Sequence, residues 1–115
     1  MYLHIINLIC FFDFCVRYLL NETAIIRNKG FALGIAYLPN ESRRNLLHLG
    51  AFFCLLFTAL RFQSIFLSAL IIASLYNLLN RLISGCVIDY IYFLSLSFNL
   101  CDLIIVTNTL LFIIT

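Results

Sequence analysis

Long apolar runs broken by short polar interruptions organise this chain. From Tyr2 to about Leu20 the positions are largely apolar as far as Asp13 and Arg17, which stand one helical turn apart and share a face. The pattern returns from Asn45 to Leu60 and from Ser64 to Leu79, separated only by Arg61, Phe62 and Gln63, which predicts a tight helical hairpin. A last run covers residues 96–115. The pattern therefore predicts transmembrane helices at about 2–20, 45–60, 64–79 and 96–115. Both termini are expected on one side of the bilayer, with no tail after the last span. The two middle cores are about 16 residues long, or about 24 Å. A bilayer core of about 30 Å is thicker than that, so thinning or interfacial anchoring is expected.

Between the first two spans, residues 21–44, the helical pattern stops. Asn21, Glu22, Asn28, Lys29, Gly30, Gly34, Pro39 and Asn40 are turn formers and polar residues. Phe31, Leu33, Ile35 and Tyr37 alternate with smaller residues at strand period, and Thr23 to Ile26 could pair with them across the Arg27–Gly30 turn. The expected fold is an all-α membrane protein. It has four transmembrane helices in one domain over 1–115, with a small extramembrane β-hairpin or cradle between helices 1 and 2.

Composition agrees with a membrane protein. Apolar residues make up 64% and charged residues 10% of the chain, against roughly 45–50% and about 25% in soluble domains. The first run has no basic segment ahead of it and no small-residue cleavage site, so it reads as a retained span. A net charge of +2, without basic residues interleaved with aromatics, argues against nucleic acid. The five cysteines form no C-x-x-C pair, and His4 and His48 have no ligand-spaced partner. No metal, cofactor or disulfide framework is expected, and the cysteines read as small core hydrophobes.

Two acids change the picture. Asp89 stands in CVIDYIYF and Asp102 in FNLCDLIIV, where a carboxylate costs about 2.5 to 3.5 kcal/mol at a helix centre and usually serves a function. Counting along the spans at the helical rise puts Asp13, Asn77 and Asp102 roughly 18 to 21 Å above a common face. Arg17, Asn28, Arg81, Asp89 and Asn99 fall at or just above that level. Two carboxylates sharing a low-dielectric site cannot both ionise readily, so one keeps its proton while the other acts as base, the logic of an aspartic peptidase. The asparagines and Arg81 could hold an extended substrate backbone. Their bland alternative is interhelical bonding, about 0.6 kcal/mol per pair, and for Asp13 with Arg17 it is a structural ion pair.

The motifs carrying these residues resemble the lipoprotein signal peptidase family, bacterial signal peptidase II. Asp13 with Arg17 is similar to the family's D-x-x-x-K, and NKGFALG at 28–34 to its N-x-G-x-A-x-G loop. NLLNRLISGCVIDYI at 77–91 is similar to N-L-x-D-R…G-x-V-x-D-F-I, and FNLCD at 98–102 to F-N-x-A-D. The resemblance implies a membrane aspartic endopeptidase that cuts the signal peptide of a bacterial prolipoprotein before its diacylglyceryl-modified cysteine. Asp89 and Asp102 would be catalytic, with Asn28, Gly30, Asn77, Arg81, Asn99, Asp13 and Arg17 binding substrate or supporting the site. Expected partners are the diacylglyceryl prolipoprotein and anionic lipid headgroups, the latter through Arg43 and Arg44, and the enzyme is expected to be a monomer.

The chain departs from the family pattern at Asn80, where Asp is usual, at Arg17 for Lys, at Cys101 for Ala, and in a short stretch between the two acids. These departures leave a second reading open, a non-catalytic homologue that binds lipidated peptides or partner helices. The arginines crowd the active-site face, which the positive-inside rule would place in the cytoplasm. The resemblance places it at the outer face of the bacterial inner membrane, and that orientation is the expectation taken forward.

Overall fold

The computed structural model describes residues 1–28, 30–31, 36–37 and 40–115, the side chains of residues 28, 30, 31, 36 and 37 excepted. Helix α1 spans Tyr2–Leu19, α2 Glu41–Phe62, α3 Ile65–Ser84 and α4 Leu100–Ile114. A single 3-10 turn occupies Glu22–Ala24. Short strands fill the two connections: β1 Ile26–Asn28, β2 Gly30–Phe31 and β3 Ala36–Tyr37 before α2, then β4 Val87–Asp89, β5 Ile91–Phe93 and β6 Leu96–Phe98 before α4.

Three helices, α1, α2 and α3, are long and apolar enough to cross a membrane. The fourth predicted span is different. Residues 96–98 belong to β6, and α4 has 15 residues, about 22 Å at the helical rise, shorter than a crossing requires. The middle spans are longer than expected, at 22 and 20 residues, or about 33 and 30 Å, so no thinning of the bilayer is called for. Both boundaries moved because polar residues lie inside the helices. Asn40 caps α2 by accepting from the Arg43 N–H at 3.0 Å, which places Glu41 in the favourable first turn. Helix α3 continues through Asn77, Asn80 and Arg81, whose side chains are buried against the other elements. It ends at Gly85, left-handed at φ 73°, with the Glu41 carboxylate 3.0 Å from where a Cβ would stand.

Helix α3 is the centre of the bundle and packs against the other three helices. One core joins Ile6 and Cys10 of α1 to Ala69 and Ala73 of α3 and Cys101 of α4, where the small residues let the helices approach closely. A second joins Ala59 of α2 to Leu67 and Leu70. Away from the polar layer, Tyr2 donates to Asn108 Oδ1 at 2.5 Å, and the Phe62 and Phe112 rings meet edge-on. The start of α1 therefore lies beside the end of α4, and the end of α2 beside it too. Many large apolar side chains of α1, α2 and α4 face outward, among them Phe12, Phe57, Leu60 and Ile113, the exterior that lipid requires.

A strand pair does lie within residues 21–44, but the strand expected to partner Phe31 to Tyr37, at Thr23 to Ile26, gives way to a longer-range pairing. Strand β1 is antiparallel to β4, Ile26 opposite Asp89 and Asn28 opposite Val87. Gly30–Phe31 pairs instead with Ala36–Tyr37, and residues 32–35 of the expected alternation lie outside the described residues. The excursion is thereby fastened to the strand that carries Asp89.

Candidate active site

Asp89 ends β4, and Asp102 sits in the first turn of α4. The link between them is Asn99. Its side-chain oxygen accepts from the Asp102 N–H at 3.0 Å, and the Asp102 carboxylate accepts from the Asn99 N–H at 3.1 Å. This reciprocal pair is a capping box, and it fixes Asp102 at the positive end of the helix. The remaining amide nitrogen of Asn99 donates to Asp89 Oδ1 at 3.0 Å. One asparagine therefore holds both acids, each within reach of the other's charge. Asp89 and Asn99 are wholly buried, whereas Asp102 is half-buried.

The compact segment between the acids is a two-residue hairpin. Strands β5 and β6 pair Ile91 with Phe98 and Phe93 with Leu96, and the Tyr90 N–H closes the base on the Phe98 carbonyl at 3.2 Å. Leu94 and Ser95 form the turn with φ of 48° and 67°, the left-handed pair that matches strand twist. Ser97, on β6, donates to Asp89 Oδ2 at 3.1 Å.

A further set of buried bonds fixes these elements to α1 and α3. Arg17 donates to Asp13 Oδ2 through Nε at 3.1 Å and Nη2 at 2.5 Å. It also donates to Asn77 Oδ1 at 2.7 Å and Asn80 Oδ1 at 3.1 Å. Asn77 passes the chain on, its amide donating to Asp102 Oδ1 at 3.0 Å. Asp13 Oδ1 accepts from the Leu100 N–H at 3.0 Å and from the Tyr90 hydroxyl, so it anchors the start of α4. Burial, and then the bond to Asp13, hold the Tyr90 phenol above its ordinary pKa, and it remains a donor. Asn80 Oδ1 accepts the Ile88 N–H at 2.7 Å, while Asn99 Nδ2 reaches the Ile88 carbonyl at 3.4 Å. Two asparagines thus grip the residue just before Asp89.

Asp13, Arg17, Asn77, Asp89, Asn99 and Asp102 therefore converge. Arg81 is buried and interacts electrostatically with Asp89, but its Nε donates to His48 Nδ1 of α2 at 3.0 Å. Asn28 is described only through its backbone in β1. Its side chain and that of Phe31 lie outside the described residues, as do the surroundings of Gly30. The sequence reading singled out neither Ser97 nor Tyr90, and took Asn80 only as a departure. Asn80 follows Asn77 by one helical turn on the same face, so its signal was present, whereas Ser97 and Tyr90 carry none before the hairpin register is known.

The description signal peptidase (SPase) II belongs to a family model that matches residues 5–115. The chain is a member of the signal peptidase II family. No curated protein and no solved structure gives a match. Membership implies a membrane peptidase of the aspartic type with a lipoprotein substrate. For signal peptidase II, a pair of acids joined by one asparagine and enclosed by buried polar bonds is chemically apt. Two carboxylates at close quarters can divide one proton between them.

Proposed function

We propose that this chain is a signal peptidase II that cleaves bacterial prolipoproteins immediately before the diacylglyceryl-modified cysteine, with Asp89 and Asp102 as its catalytic pair. The observation that carries the reading is Asn99 donating to both carboxylates, to Asp89 through its side-chain amide and to Asp102 through its backbone N–H. In the reaction the ionised acid takes a proton from a water, whose oxygen attacks the scissile carbonyl carbon. The protonated partner gives its proton to the carbonyl oxygen. Collapse of the tetrahedral intermediate breaks the C–N bond, and the leaving nitrogen takes up a proton from the pair. The pair titrates as a unit.

The remaining predicted residues take supporting roles in this reading. Asn77 orients Asp102. Asp13 and Arg17 brace α4, and Arg81 supplies positive charge beside Asp89. Asn28 and Gly30 line the surface cradle. The enzyme acts as a monomer and a single membrane-embedded domain at the outer face of the inner membrane, with the exposed Arg43 near lipid headgroups; Arg44, expected there too, is instead buried with its Nη2 on the Gly85 carbonyl. Purified protein in bilayers, given a diacylglyceryl prolipoprotein, tests it. Asp89→Asn and Asp102→Asn should each lower the cleavage rate by about 10²- to 10⁴-fold. Cleavage by either variant at the parent rate would sink the assignment.

The second reading, a homologue that binds lipidated peptides without cutting, is favoured by the complete burial of Asp89. Tight binding without turnover, where another signal peptidase II cuts, would select it.

A further inference from the structure

The peptidase reading leaves open which acid is the base, and the short hairpin between them bears on that choice. Asp89 accepts at both oxygens: Oδ1 from Asn99 Nδ2 at 3.0 Å and Oδ2 from Ser97 Oγ at 3.1 Å. Ser97 lies opposite Tyr92 in the hairpin register and is 9% exposed. A hydroxyl donor aimed at a carboxylate oxygen favours the ionised form. We propose that Ser97 is a positioning residue of the site, its hydroxyl holding Asp89 as the ionised, water-activating member of the pair and leaving the proton to Asp102. This rests on the aspartic peptidase reading.

Other charged and titratable groups lie on the elements around Asp89. From α3 comes Arg81, within electrostatic reach. From α4 comes Asp102. From α1 come Asp13 and Arg17, bonded to each other. From β1 comes Arg27, opposite Ile88 in the register, with its guanidinium on Glu22 and Cys86. Against this background the Ser97 hydroxyl is a neutral donor to Oδ2, reaching it from β6. Removing the hydroxyl leaves all of those groups in place, so its contribution can be isolated.

Two measurements on Ser97→Ala, Ser97→Cys and Ser97→Thr test the proposal. The first is the pH profile of kcat/KM for a diacylglyceryl prolipopeptide. In Ser97→Ala the acid limb should move up by about one pH unit, a tenfold loss on that limb. KM on the plateau should be unchanged. Ser97→Thr, which keeps the hydroxyl, should follow the parent, and Ser97→Cys, a weak donor, should fall between.

The second is infrared titration of the buried carboxyl band that disappears in Asp89→Asn. Its midpoint should rise in Ser97→Ala and return in Ser97→Thr, whether or not the protein cleaves. A shifted midpoint in a protein that cuts nothing would overturn the peptidase reading and keep the Ser97 contact. An unmoved midpoint and acid limb, even with activity uniformly reduced, would overturn the proposal.

Discussion

Asn99 commits both polar atoms of its side chain, and its own N–H, to the elements carrying the two acids. Replacing it with Ala removes an N-cap, which should lower unfolding stability by about 1 kcal/mol. It also separates Asp89 from the start of α4. Activity should therefore fall far more than stability, measurable as cleavage rate against thermal unfolding in the same detergent. Arg17 behaves differently. Arg17→Met strands the buried Asp13 carboxylate and should cost about 3–5 kcal/mol. The double variant with Asp13→Asn should recover part of that loss, and an additive loss would show the pair to be uncoupled. The costly acids and amides were legible in the sequence because an ionisable or amide side chain among Leu, Ile and Phe needs a reason. Ser97 and Tyr90 were not, because hydroxyls are cheap in most settings. Theirs acquire meaning only once the hairpin register sets what they face.

Among the elements, the helices were readable from their period and the ends were not. Asn40 with Glu41, and Asn80 with Arg81, look like loop or interface residues until cap bonds and buried partners bring them into α2 and α3. The strands show the reverse. Local alternation pointed to a neighbouring partner, whereas β1 pairs with β4 beyond two intervening helices, a choice that no local pattern encodes. Two backbone positions test the connections. Ser95→Gly should stabilise the protein by about 1 kcal/mol, because a left-handed residue with a Cβ bears a cost of that order. Gly85→Ala should destabilise it by about 1–2 kcal/mol for the same reason. Glu41 must also give way there. Chemical unfolding midpoints measure both, and a stabilising Gly85→Ala would contradict the left-handed end of α3.

At the scale of the whole molecule, α3 has neighbours on most sides and α2 has few. Of the residues of α2, Arg44 and Ala59 alone are buried. Its fastenings lie toward its two ends, with Arg44 on the Gly85 carbonyl and His48 under Arg81 above, and Ala59 and Phe62 below. A rod pinned at its ends and backed by lipid can bow in the middle and swing about whichever pin holds. His48→Leu removes an upper latch and leaves the lower one. Spin-label distances from α2 to α4 should then broaden beside His48 and stay narrow beside Phe62. The bilayer would press on α2 as on a shutter, its swing set by the lower pin at Ala59 and Phe62.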